Sequence, residues 1–143
     1  MKAERARLAR LQRLERIRDI ARRNALAEAG QAEGTLAQLQ GLVERTSRLS
    51  AEYSARTDMP DGHALQQLRH FVAGLERITT GTRADAVNAQ KLADIKAQEA
   101  AAAERKRAAV EERAEAQSRL IGRKIANAAA PLSARKATGT GLE

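Results

Sequence analysis

The chain has 143 residues, of which 43% are hydrophobic, 31% charged and only 1% aromatic, and it carries a formal net charge of +8. That length suits one domain, and the near-absence of large aromatic side chains excludes an ordinary compact core. No cysteine is present, which excludes disulfides, thiolate catalysis and cysteine-based metal sites.

The bias toward alanine, leucine, glutamate, lysine and arginine belongs instead to long helices and coiled coils, whose seam needs only a narrow apolar stripe. No apolar run approaches the ~18 residues of a membrane span. The opening Met-Lys-Ala-Glu-Arg leads into closely spaced arginines without the apolar core of a signal peptide. A soluble, cytoplasmic protein is expected.

The first predicted element is a helix over residues 4–54. Leu14, Ile17, Ala21 and Ala25 open its stripe, which continues through Ala29, Ala32, Leu36, Leu39, Val43, Thr46 and Ser50 to Tyr53. Steps alternating between three and four residues give the coiled-coil period. The two successive four-residue steps from Ile17 to Ala25 read as a stutter, which relaxes the supercoil locally.

A loop is expected over 55–62, built on Asp58, Pro60, Asp61 and Gly62. Pro60 has no amide proton and drives Met59 toward extended backbone, so the helix stops there. Asp61, or failing it Asp58, then caps a second helix over 63–128. Its stripe reads Leu65, Leu68, Val72, Leu75, Thr79, Thr82, Ala86, Ala89 and Ala93. It thins over 97–109 and resumes at Val110, Ala114, Gln117, Ile121 and Ile125. Pro131 closes it, and 131–143 is expected to be a disordered tail.

Two long helices joined by a short loop fold back on each other. The expected fold is therefore all-α: a long antiparallel two-helix coiled-coil hairpin. A turn centred near residue 60 makes facing residue numbers sum to about 120 and leaves the second helix unpartnered beyond about residue 115. Ile121 and Ile125 would then need another protein or a second copy of the chain.

Charge is unevenly placed. Residues 1–24 hold nine basic and three acidic groups, 25–103 hold eight and ten, and 104–143 hold nine and five; the differences of +6, −2 and +4 make up the net +8. A hairpin brings the two basic segments to one end, where the candidate binders of a polyanion or an acidic protein are Arg5, Arg7, Arg10, Arg13, Arg16, Arg105, Lys106 and Arg107. The plain alternative is a solvated face. Nucleic acid is the weaker target because no aromatic is interleaved with the arginines.

His63 and His70, seven residues apart, lack a third ligand at metal-binding spacing, and no catalytic constellation is visible. A non-enzymatic protein without cofactor or metal is expected. Gly30, Gly34, Gly41, Gly74 and Gly81 fall outside the stripes. They are either tolerated drift or a soft section where the rod bends or a partner backbone approaches closely.

Both aromatics, Tyr53 and Phe71, flank the loop. Phe71 sits one position beside the stripe that contains Leu75, either as a staple for the turn or as an anchor for a partner. Glu52-Tyr53, the loop ending in Asp61-Gly62, and Phe71 with Leu75-Glu76 and Ile78 resemble the FliJ family of the bacterial flagellar type III export apparatus. So does the opening LARLQRLERIRDIARR followed by LAEAGQAEGTLAQL; the similarity covers roughly residues 8–115.

The resemblance implies an antiparallel coiled coil that binds the export ATPase, the cytoplasmic domain of the membrane export gate and export chaperones. It implies a place in the cytoplasm, peripheral at the inner face of the cell membrane at the flagellar base. Phe71 and Leu75 fall where the family places its gate-binding pair, and the basic end would engage the ATPase. The C-terminal third departs from the family, lacking its aromatics. The other readings of the residues are a basic adaptor for nucleic acid or ribosomes and a coiled coil that self-associates through 116–128.

Overall fold

The computed structural model describes the backbone of residues 1–138 and the side chains of residues 1–130. Two helices, α1 (Lys2–Ser54) and α2 (Gly62–Thr138), pack against each other in antiparallel fashion, and no strand occurs among the described residues. Alanine and the straight-chain residues that dominate both segments lose little entropy on entering a helix. α2 runs ten residues past its expected end at 128, to Thr138. Ala128, Ala129 and Ala130 precede Pro131 and carry the helix across it, although the proline withholds one backbone hydrogen bond. Residues 139–143 of the expected tail lie outside the described residues.

The helices divide into two units, and the first to consider is Ala25–Ala100. The expected α1 stripe is met here at every position from Ala25 to Tyr53, with Ala32 and Thr46 buried. The α2 stripe is met from Leu68 to Ala93, whereas Leu65 is exposed. Asp61 caps α2: its Oδ1 accepts the Ala64 amide at 2.8 Å. The seam is thin, since its buried members are mostly alanine and threonine, with Leu75 the one large aliphatic among them.

The register of this unit differs from the expected one. Thr46 meets Thr79, Tyr53 meets Phe71 and Glu28 meets Lys96, so facing numbers sum to about 125 rather than 120. The reason lies at the turn. α2 begins at Gly62 but faces the end of α1 only from about Phe71, so roughly its first two turns rise past Ser54. Met59, Ala64 and Leu68 are half-buried there.

The second unit joins Met1–Asn24 to the chain from Ala101 onward. Its contacts correct two expectations. First, there is no stutter: the three-four alternation continues upstream of Ala25 through Arg22, Arg18, Glu15, Leu11, Leu8 and Glu4, all half-buried. Of the expected opening residues Leu14 is half-buried beside Glu15, while Ile17 and Ala21 are exposed. An unbroken heptad outranks the local apolar pattern, because one out-of-phase step would turn the whole seam away. Second, Ile121 is buried within the chain, and only Ile125, 50% exposed, lies beyond the seam. The Gln117 side chain reaches the Glu4 carbonyl at 3.2 Å, and Lys124 pairs with the Glu4 carboxylate, so α2 keeps a partner almost to Lys124.

Candidate functional site

Three side chains stack beside the turn. The Tyr53 and Phe71 rings meet edge to face, centroids 4.9 Å apart and planes at 74°, the geometry that a ring quadrupole favours. The Arg56 guanidinium lies 4.2 Å from the Tyr53 centroid, over its face. α1 supplies Tyr53 as the last seam residue of the helix, and the arrest of α1 after Ser54 lets Arg56 fold back onto it. Phe71 sits one position before Val72 of the seam, so it packs with one edge and stays 48% exposed. Leu75, one helical turn on, is 8% exposed. The expected pair is thus split: Phe71 offers surface, whereas Leu75 belongs to the seam and supports the backbone that carries it.

The loop residues divide in a similar way. Asp61 is occupied as the helix cap. Asp58 and Pro60 are exposed, and Gly62 is the first residue of α2. His63 shares a 3.2 Å contact with Gln67, and no cluster of three or more potential metal ligands occurs among the described residues.

In the unit built from the two basic segments, Glu4, Asp19, Glu104 and Glu111 are half-buried and ion-paired. Asp19 accepts from Arg22 and pairs with Arg23 at 3.0 Å. Glu104 is bound by Arg107 at 2.7 Å and approached by Arg22 at 3.5 Å, and Arg107 also holds Glu111 at 2.8 Å. The Arg107 hydrogen bond holds the Glu104 carboxyl below its ordinary range, and the Arg22 hydrogen bond does the same for Asp19. Glu104, followed by Glu111, raises the Arg107 guanidinium. Glu4 falls to about 2, chiefly through Lys124 and then the terminal amino group.

Arg107 is therefore saturated by two carboxylates and is not a free cation. By contrast Arg5, Arg7, Arg10, Arg13, Arg16, Arg105 and Lys106 are exposed and form no ion pair among the described residues. Arg18 lies in the seam with its Nε buried and without a hydrogen-bond partner.

Sequence reasoning missed part of the surface around Phe71. Leu42, Leu49 and Ile78 are also exposed, and each stands one position before a seam residue, as Phe71 does. A search for apolar residues spaced by seven, one step off the seam, would have found them. Among known proteins, no family model, curated sequence or solved structure matches the chain.

Proposed function

We propose that the chain is a non-enzymatic coiled-coil component of a bacterial flagellar type III export apparatus. It would link the export ATPase to the cytoplasmic domain of the export gate and help hand over chaperone-bound substrates. The reading is supported by the resemblance of the loop-flanking residues to the FliJ family. One structural observation carries it furthest: Phe71 is fixed by Tyr53 yet 48% exposed beside the turn, as an interface anchor must be. The unpaired arginines of α1 supply a second contact, for acidic surfaces of the ATPase. No helix among the described residues is long and apolar enough to cross a membrane, so attachment at the membrane would be peripheral and through partners.

The test is binding of the full chain to the cytoplasmic domain of the export gate at physiological salt. Wild type should bind, and a Phe71→Ala variant that keeps its helicity should bind at least about tenfold more weakly, a loss of ~1.4 kcal/mol. Equal binding by the two would remove Phe71 from the interface and the main support for the reading. The free cations favour a second reading, a basic adaptor for nucleic acid or ribosomes. Its mark would be affinity that falls steeply with salt and ignores Phe71→Ala.

A further inference from the structure

In the Ala25–Ala100 unit, α1 places Val43 and Ser50 in the seam and α2 places Val72 and Thr79 there. Residues one position earlier (Leu42 and Leu49 on α1, Phe71 and Ile78 on α2) project to one flank of the hairpin. In an antiparallel pair the positions preceding the seam fall on the same side of both helices. All four are 36–52% exposed. The opposite flank is polar, a shallow groove lined by Ser47, Ser54, Glu76 and Arg83 among others. At the level of these four residues the exposed large apolar side chains lie on this flank and repeat every seven, which is the spacing that meets another helix. Leu26, Leu65, Val87, Leu92 and Ile95 are exposed elsewhere in the unit.

Two further observations bear on what covers that flank. Gly74 and Gly81, also seven apart, border it. A Cβ at either would meet nothing within 4 Å, so the fold of the single chain does not require glycine there. Each glycine nevertheless costs about 1 kcal/mol against alanine inside a helix. Small residues at heptad spacing let a second backbone come close. The charge balance of the unit is also close to even, with eight basic and ten acidic groups, although the whole chain carries +8. Two copies can therefore meet here without the repulsion that opposes contact through the arginine-rich segments.

The levels of the four residues are self-complementary. With facing numbers summing to about 125, Leu49 lies level with Glu76 and Leu42 with Arg83. Phe71, Leu49, Ile78 and Leu42 are then spaced symmetrically about the level of Arg77. A two-fold axis crossing the hairpin at that level puts Leu49 and Ile78 of both copies in one central layer. About 9 Å to either side, Phe71 of one copy comes level with Leu42 of the other. We propose that this flank is a dimerisation surface for a second copy of the chain, which closes the apolar side into an antiparallel four-helix bundle. The proposal stands apart from the export reading and shares only Phe71 with it, so a dimer would cover the residue that the gate is proposed to grip.

Sedimentation of the full chain at physiological salt, from about 1 to 100 μM, tests it. The mass should rise with concentration from 15.5 kDa to twice that value. Ile78→Ser and Gly81→Gln should each weaken association about tenfold or more with helicity unchanged, while Ser47→Gln on the polar flank should leave it intact. A folded wild type that stays monomeric throughout would overturn the proposal. So would a dimer that survives Ile78→Ser and Gly81→Gln but is lost in Ile125→Ser, since that would place the contact at the far end of the α2 seam.

Discussion

The hydroxyls of Thr46 and Thr79 meet across the seam at 2.9 Å, and both residues are among the most buried of the chain. Thr46 can also donate to the Leu42 carbonyl at 2.9 Å and Thr79 to the Leu75 carbonyl at 2.8 Å, so neither hydroxyl depends on the other for satisfaction. The pair therefore adds little net stability. It does mark the register, since it shows which levels of α1 and α2 face each other.

Thr79→Val should accordingly change stability by less than about 1 kcal/mol in urea unfolding. Thr79→Ala should cost more, since it removes a buried methyl and leaves a gap. A loss above ~2 kcal/mol for the valine variant would mean that the hydroxyl contact itself holds the helices together.

Leu75 and Phe71 should separate by their effects. Leu75→Ala removes the one large aliphatic among the buried residues of its unit, and should cost ~2–4 kcal/mol in thermal or urea melts. Phe71→Ala forfeits only a half-exposed ring and its edge-to-face contact, on the order of 1 kcal/mol. If Leu75→Ala leaves stability unchanged, Leu75 is not a seam residue.

Acid should weaken the unit that contains Glu4. The folded pKa of Glu4 is about 2 against an ordinary 4.5, and Asp19 and Glu104 are shifted in the same direction. A depressed carboxylate stabilises fully above its unfolded pKa, and that contribution disappears as pH falls through the folded one. Melting temperature should therefore be level above pH ~5 and fall between about 4.5 and 2. Glu4→Gln should flatten part of that fall, and an unchanged profile in Glu4→Gln would show that its pairing with Lys124 is absent in solution.

Much of this fold was readable from the chain. The two helices, the turn at Pro60, the Asp61 cap and the seam from Ala25 to Tyr53 all follow from period, propensity and capping. What escaped were places where one residue's character disagreed with the phase of the whole helix. Ile17 and Ala21 look like core and Arg18 and Arg22 do not, yet the heptad half-buries the arginines: their long aliphatic stems line the seam, and the Arg22 head reaches Asp19 and Glu104 whereas the Nε of Arg18 finds no partner. The register was displaced because the rise of α2 past Ser54 is a property of the loop, where periodicity is silent. At the candidate site Phe71 was legible as the lone aromatic of α2. Leu42, Leu49 and Ile78 were not, because leucine and isoleucine are too common in helices to stand out until the helices are paired.

The buried guanidinium nitrogen of Arg18 has a consequence for how its unit comes apart. A buried donor without a hydrogen bond costs desolvation that nothing in the docked helix returns. Arg107 can hold its two carboxylates on α2 whether or not α1 is docked, since both lie within one helical turn of it. Undocking of α1 at that level returns the Arg18 nitrogen to water, so backbone amides near Arg18 should exchange with solvent before those around Thr46 and Thr79. The level of Arg18 is then a weak point inside α1, flanked on one side by the Ala25–Ala100 seam and on the other by the hold of Gln117 and Lys124 on Glu4.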